Sequence, residues 1–358
     1  MPDSPDEWFA EQGAITCNWS GYEKRSSQME LVRDTFEAFS ESQILAAEAG
    51  AGLGKSLAYL SSGFLAANQK NTSLVVSTYT KNLQSQLFTE DIPKLSRVID
   101  QNLNAVIYKG RFNYICRTRL ERLLSNHQHL LKSHEYESLL PLMVWEWETK
   151  TGDINECNGF QLSRQKRIWS LVKSERGYCS SKRCSKYDGC FLGKVRIKVE
   201  SADIIIINHS LFANELMRDN SCLPADFIYV IDEAHHLEDQ ATQAFGFQVS
   251  HGLAGETLSS LRGRDSIFSN INTLFTPLKM NTEDVRGLSN SSESVALSLK
   301  SLQDSFNILF SLATEIMKQS TAHKSSFLQS DKYRIKIGEE PALWDDLCSL
   351  GRDIEEQV

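Results

Sequence analysis

The sequence predicts an α/β fold in which helices cover both faces of a parallel β-sheet. Between residues 43 and 231, short apolar runs alternate with segments of helical periodicity, a pattern typical of parallel strands joined by helices. The runs are continuously apolar rather than alternating, which indicates strands that are buried on both faces. A chain of 358 residues has the length of about two domains and can bury a large core.

Five apolar runs are predicted to be strands of this sheet. The first ends at a glycine-rich loop, and the helix predicted after that loop contains Leu57, Leu60 and Phe64. In chain order the runs are 44–47, 74–77, 105–108, 204–207 and 227–231.

Two stretches depart from this alternation. Residues 112–200 carry the clustered cysteines and an aromatic segment at 145–147, and they are predicted to form an insertion between two strands. Apolar residues from Val295 to Ile316 recur at spacings of three and four, which predicts a long amphipathic helix. The polar segment 289–293 before it is predicted to be a loop, and beyond residue 240 a strand is expected only at 333–337.

The composition excludes several classes of protein. Hydrophobic residues make up 41% and charged residues 23% of the chain, a globular balance that excludes collagen and wholesale disorder. The formal net charge is −8, so any contact with nucleic acid must use a local basic surface. The acidic N-terminus lacks a secretory signal, and no apolar run approaches the roughly 20 residues that span a bilayer. Eight cysteines are too sparse for a disulfide framework, and we therefore expect a cytoplasmic protein without a membrane partner.

A glycine-rich loop that ends in lysine and serine is the strongest motif. Glycines let backbone amides converge on a phosphate, and the N-terminus of the following helix adds its dipole. Lys55 is expected to reach the β and γ phosphates, and the Ser56 hydroxyl to ligate Mg²⁺. Alanine stands at position 49, where the strict pattern has glycine. The predicted phosphate-binding residues are Ala49, Gly50, Ala51, Gly52, Leu53, Gly54, Lys55 and Ser56.

Two acidic residues directly follow the last apolar run, at the sheet edge where ligands of open α/β sheets bind. Asp232 is expected to hold Mg²⁺, and Glu233 to orient or deprotonate the attacking water. His235 is expected to couple the state of the nucleotide to contacts with DNA. Together with the glycine-rich loop, these residues predict an NTPase site that uses ATP and Mg²⁺ on a RecA-like core.

Four cysteines form a third candidate site. Cys179, Cys184 and Cys190 lie within twelve residues of one another, and Cys116 precedes them. Structural zinc sites usually present close Cys-x2-4-Cys pairs, which this spacing lacks, whereas four thiolates suit a cubane iron–sulfur cluster. From spacing alone, an iron–sulfur cluster, a zinc ion and unbound thiols all remain open, and Cys157 is the most plausible alternate ligand.

The motifs occur in the same order in the XPD and DinG superfamily 2 DNA helicases, and the sequence most resembles the bacterial DinG and YoaA branch. The resemblance covers roughly residues 20–240. The segments that carry it are 48–56, 77–87, 109–116, the three-cysteine run, 202–209 and 232–235.

The resemblance implies a 4Fe-4S cluster held by Cys116, Cys179, Cys184 and Cys190, and ATP-driven movement on single-stranded DNA in the 5′ to 3′ sense during repair or replication. It implies a first RecA-like domain at 1–111 and 201–240, an iron–sulfur insertion at 112–200 and an arch-like helical region at 241–358. Arg25 and Gln28 are implied to contact the nucleotide base. The residues expected along the DNA strand are Thr78, Thr80, Lys81, Gln84, Lys109, Arg111 and Arg117.

A superfamily 2 motor hydrolyses ATP between two RecA-like domains, and the second supplies arginines to the transferring phosphate. No second strand–helix series follows residue 235, so we expect an incomplete motor: a fragment or one half of a divided gene, whose second domain a second polypeptide or self-association would supply. Three hypotheses follow: the N-terminal part of a helicase, a nucleotide-sensitive DNA-binding module without turnover, and a zinc-bearing P-loop protein. The intact Lys55, Asp232 and Glu233 favour the helicase.

Overall fold

The chain folds into two compact units, residues 1–247 and 248–358, in the computed structural model. Each unit is described by itself, and the predicted boundaries at 111, 200 and 240 stay predictions. The structure describes residues 2–50, 52–175, 178–179, 189–217, 221–246, 250–262, 282–321 and 343–357.

A four-stranded parallel sheet is the centre of the first unit. The strands are β1 (Ser73–Thr78), β2 (Ala105–Ile107), β3 (Ile204–Asn208) and β4 (Phe227–Ile231), and their order across the sheet is β2-β3-β1-β4. Val76 of β1 lies beside Ile206 of β3 and beside Val230 of β4. Since all pairs are parallel, the segments that follow the four strands emerge at one edge of the sheet.

Helices connect these strands and precede them. Their bounds are α1 (Ala14–Asn18), α2 (Ser26–Glu41), α3 (Lys55–Gln69), α4 (Lys81–Gln86), α5 (Ile92–Val98), α6 (Arg117–Ser125), α7 (His127–Leu130), α8 (Tyr136–Glu148), α9 (Lys166–Val172), α10 (Phe191–Glu200), α11 (His209–Leu216) and α12 (Leu237–Phe245). A π-helical turn, Leu87–Asp91, joins α4 to α5. Short 3-10 turns lie at Pro5–Glu7, Arg111–Asn113, Ser133–Glu135, Ile154–Glu156 and Ala234–His236.

The two faces of the sheet pack against different helices. Successive strand residues point to opposite faces, so Val76 joins a core with Leu60 of α3, whereas Val75 joins a core with Leu123 of α6 and Leu142 of α8. The predicted α/β class with helices on both faces is confirmed. Residues 112–200 thus supply much of the packing on one face of the sheet.

The predicted strand at 44–47 is wrong. Ser42 ends α2 in a left-handed conformation, with φ of 58°, and turns the chain outward. Residues 44–47 then have no regular secondary structure, and Ile44 is 94% exposed. An apolar run becomes a strand only where another strand pairs with its backbone, and this run is not one of the four strands of the sheet.

All the regular secondary structure in the described residues of the second unit is helical. The unit contains α13 (His251–Arg262), α14 (Thr282–Thr321) and α15 (Trp344–Gln357), which share a small core of Leu258, Leu302 and Ile354. The predicted long helix is confirmed as α14. Within the described ranges of the whole chain, no helix combines the length and the apolar character needed to cross a membrane.

The predicted loop at 289–293 is wrong, because α14 runs through it. The Ser291 hydroxyl donates to the carbonyl of Gly287, four residues earlier, at 2.9 Å. This local bond lets serine remain within a helix despite its preference for turns. The strand expected at 333–337 lies outside the described residues.

Candidate functional site

The glycine-rich loop is shaped by backbone conformations that favour glycine. Gly52 and Gly54 have φ of 79° and 84°, a region that L side chains rarely adopt. A side chain at Gly54 would also collide with Gln28, because its Cβ would lie 2.2 Å from the Gln28 Nε2. The backbone conformation therefore favours glycine at position 54, and a larger residue there would also displace the end of the Gln28 side chain.

Two residues of the upstream segment hold this loop. Gln28 is buried on α2 and donates from Nε2 to the Gly54 carbonyl at 3.2 Å, and Arg25 donates to the Gly52 carbonyl. In this structure Arg25 and Gln28 thus contact the loop backbone. Gly50, Gly52 and Gly54 are exposed, which leaves the loop open to a ligand, and Ala51 lies outside the described residues.

Two carboxylates stand at the end of β4, beside the start of α3. The Asp232 amide donates to the Ser77 carbonyl at 2.9 Å, which extends the pairing of β4 with β1. The Asp232 carboxylate accepts from the Tyr59 hydroxyl at 3.3 Å, and the Glu233 Oε1 lies 3.2 Å from the Lys55 Nζ. The loop lysine and the acid pair are thus adjacent although Lys55 and Glu233 are 178 positions apart in the chain.

The electrostatics of this group suit a bound cation. Burial, and then the charge of Glu233, raise the pKa of Asp232 above its ordinary value. Burial and the charge of Asp232 raise the pKa of Tyr59 well above its ordinary value. Mg²⁺ binds oxygen ligands and would relieve this crowding of negative charge. The Ser56 hydroxyl interacts with Tyr59 in the same group, so the side chains present fit the predicted Mg²⁺ site.

His209 and Tyr79 connect the acid pair to the segment after β1. The His209 ring is buried, and its Nδ1 lies 2.7 Å from the Ser77 Oγ. Burial lowers the pKa of the His209 ring below its ordinary value. The Tyr79 ring stacks on His236, with 3.7 Å between ring centroids. His235 is largely exposed, with its Nδ1 3.6 Å from the Glu233 Oε2.

The comparisons with known proteins agree with this geometry. The sequence model of the DEAD_2 family matches residues 152–253, a range that contains β3, β4 and the acid pair. The chain is 33% identical over 247 residues to the ATP-dependent DNA helicase YoaA of Escherichia coli, a match that covers 68% of this chain and 38% of that protein. By these matches the chain is DinG/XPD-like.

Other relatives match a similar share of the chain. The 3'-5' exonuclease DinG of Bacillus subtilis is 31% identical over 250 residues, which is 69% of this chain and 26% of that protein. The ATP-dependent helicase DinG of Mycobacterium tuberculosis is 29% identical over 275 residues, which is 71% of this chain and 40% of that protein. The chain thus spans well under two thirds of the length of the curated relatives it matches.

In this DinG/XPD-like chain, the predicted DNA contacts after β1 have different surroundings. Thr78 is fully buried, and Gln84 is nearly so. Thr80 caps α4 by accepting from the Leu83 amide at 3.2 Å. Lys81 is exposed and donates to the Asn155 Oδ1 at 2.6 Å. Thr80 and Lys81 are therefore the better placed of these residues to meet a ligand at the sheet edge.

The predicted basic contacts after β2 are mostly paired within the chain. Lys109 forms a largely buried ion pair with Asp153, and Arg117 forms an ion pair with Glu146. Arg111 is half-buried, in the 3-10 turn after β2.

Two aromatic residues, Phe112 and Tyr114, lie close to these cations in the sequence. Phe112 is 60% exposed. Tyr114 is buried, and its hydroxyl accepts from the Lys109 amide at 3.1 Å, so it does not present a stacking face.

The segments that carry Cys116 and Cys190 approach one another. The Arg117 guanidinium, next to Cys116, lies 4.5 Å from the Phe191 ring centroid, next to Cys190. Among the described residues, no group of three or more His, Cys, Asp or Glu side chains is arranged to hold a metal ion. Cys184, the remaining predicted ligand, lies outside the described residues.

Two features of the site escaped the sequence analysis. Tyr59 follows Lys55 by four residues, which places both on one face of α3, so helical spacing was a usable signal. His209 follows a buried strand in the same way as Asp232 does. The only local indication of the role of His209 was its position at the carboxyl end of a strand. Its contact with Ser77 is seen only in the folded structure.

Proposed function

We propose that this chain is the nucleotide-binding motor region of a DinG-type DNA helicase, which couples ATP hydrolysis to movement on single-stranded DNA. The observation that supports it most is the meeting of Lys55 with Asp232 and Glu233 at the carboxyl edge of the sheet. Sequence similarity adds that two relatives of this chain are named ATP-dependent DNA helicases.

Each side chain has a role that follows from its position. Lys55 binds the β and γ phosphates. Ser56 and Asp232 would hold Mg²⁺, which would supply positive charge to the phosphates. Glu233 orients the attacking water and takes up its proton. Because Glu233 pairs with Lys55 in this structure, nucleotide binding must first separate the two.

The proposed DNA track runs over the edge where the strands end. Thr80 and Lys81 bind phosphates, which fixes the strand without reading its sequence. Phe112 is exposed and offers a ring on which a base can stack. By analogy with the family, we propose 5′ to 3′ movement in repair or replication within the cytoplasm. A second motor domain, from another polypeptide or a second copy, would complete the catalytic site.

We also propose that Cys116, Cys179, Cys184 and Cys190 hold a 4Fe-4S cluster. Its support is the approach of the segments around Cys116 and Cys190 near the start of α6, since each of these cysteines precedes a helix N-terminus, where a thiolate is favoured. Anaerobically purified protein should contain iron, Cys190→Ser should lose it, and Cys17→Ser, at an exposed cysteine, should keep it. Stoichiometric zinc without iron would overturn the cluster.

Hydrolysis of ATP is the test of the proposed function. The chain should release phosphate from ATP with Mg²⁺, faster with single-stranded DNA, and Glu233→Gln should abolish release while nucleotide still binds. Release that is unaffected by Glu233→Gln would contradict the assignment. Binding of nucleotide and DNA without release would mean that the unmodified chain alone is either half of a motor or a DNA-binding module.

A further inference from the structure

Asp91 occupies an irregular point of the helical layer beside the glycine-rich loop. It is the last residue of the π-helical turn Leu87–Asp91, directly before α5. Single π-turns within helices are rare and are frequently found at functional sites. The Asp91 side chain makes no capping hydrogen bond to α5, so support of that helix does not explain the carboxylate.

The carboxylate of Asp91 faces the candidate Mg²⁺ site. The Ser56 side chain interacts with it, and the charge of Asp232 acts on it as well. Its Oδ2 is buried and has no hydrogen-bond partner among the described residues. A buried polar atom without a partner destabilises the folded chain, so this oxygen is suited to accept a hydrogen bond from a bound group.

Lys94, the cation nearest to Asp91 in the sequence, contacts the Trp19 ring. Lys94, one turn later, contributes some favourable charge at Asp91, but its Nζ lies 3.5 Å from the centre of the Trp19 ring. An ion pair with Lys94 therefore does not account for Asp91.

A serine that binds Mg²⁺ through its oxygen keeps its hydroxyl proton, which then needs an acceptor. Mg²⁺ also retains several water ligands, which donate to nearby carboxylates. We propose that Asp91 is a positioning residue of the metal–nucleotide site. One of its carboxylate oxygens accepts a hydrogen bond from the Ser56 hydroxyl, and its Oδ2 would accept a hydrogen bond from a water held by the metal. This inference rests on the proposed function, and it adds a third carboxylate to the site.

The test is nucleotide affinity measured with and without Mg²⁺. A fluorescent ADP analogue is titrated into the full chain and into Asp91→Asn, first with excess Mg²⁺ and then with EDTA. Loss of a group that orients a metal ligand typically lowers metal affinity about 10- to 100-fold. We therefore expect Asp91→Asn to lose about tenfold or more in affinity with Mg²⁺ and to match the unmodified chain in EDTA.

Matched variants separate this role from a structural one. Glu90→Gln removes the adjacent, exposed carboxylate and should behave as the unmodified chain. Asp91→Glu keeps the charge and should recover part of the Mg²⁺ effect, which also guards against failure of Asp91→Asn to fold. Equal losses with Mg²⁺ and EDTA, or no loss at all, would overturn the inference.

The proposed function can fail separately from this inference. Lys55→Ala in the same titration tests the nucleotide site itself. Unchanged binding by Lys55→Ala would refute the site, and Asp91 with it. Weakened binding by Lys55→Ala beside unchanged binding by Asp91→Asn would refute only the role of Asp91.

Discussion

The ion pair between Lys55 and Glu233 predicts that removal of the Glu233 charge strengthens nucleotide binding. The two groups are 3.2 Å apart, and each side chain is 34% exposed, so solvent screens much of their attraction. Pairs of this kind are worth about 0.2–1 kcal/mol, and about 1.4 kcal/mol corresponds to a tenfold change in affinity. Since Glu233→Gln leaves Lys55 available to phosphate, affinity should rise about 1.4- to 5-fold.

A titration with a fluorescent ATP analogue and Mg²⁺ measures this effect. Glu238→Gln removes the same charge from an exposed position on α12 and should change little. The gain from Glu233→Gln should shrink as salt is added, because salt screens exposed charges. Equal or weaker binding by Glu233→Gln than by the unmodified chain would refute the competition between Glu233 and phosphate.

Two further predictions concern the stability of the first unit. Ile206 in β3 is fully buried, so Ile206→Ala should lower the free energy of unfolding of the unit by about 2–5 kcal/mol. Ile44 is exposed, and Ile44→Ala should change that free energy by less than about 0.5 kcal/mol. Similar thermal melts for the two variants would contradict the sheet described here. Burial raises the pKa of Glu135, but the Lys132 amide and Arg167 outweigh it and the pKa lies below its ordinary value. Its contribution to stability is therefore present above that ordinary value and is lost as the pH falls through the lowered pKa, so Glu135→Gln should destabilise the unit at pH 7 and less in acid. A destabilisation by Glu135→Gln that does not depend on pH would count against this ion pair.

Local sequence was sufficient for the parts of the site that depend on one segment. The conformations of Gly52 and Gly54, and the start of α3 at Lys55, follow from residue types at fixed spacing. The position of Asp232 after β4 follows from a continuous apolar run that ends in acids. Parallel strands bring such ends to one edge, so the meeting of Lys55 and Glu233 was predictable in outline.

Features that depend on contacts between segments far apart in the chain could not be predicted from local sequence. The run at 44–47 has the composition of a strand, yet no neighbour pairs with it. The serines at 289–293 have the composition of a loop, yet they continue α14. Asp91 lies in no motif that we recognised, and only the fold brings its carboxylate beside Ser56.

The claim that this chain binds ATP through Lys55 is tested most directly by calorimetric titration of ATP with Mg²⁺. The unmodified chain and Lys300→Ala, an exposed lysine of the second unit, should bind with the same affinity. Lys55→Ala should lose at least about tenfold, because a charge-assisted contact is worth about 1.5–3 kcal/mol. Equal affinity of Lys55→Ala and the unmodified chain, or no binding by either, would contradict the account.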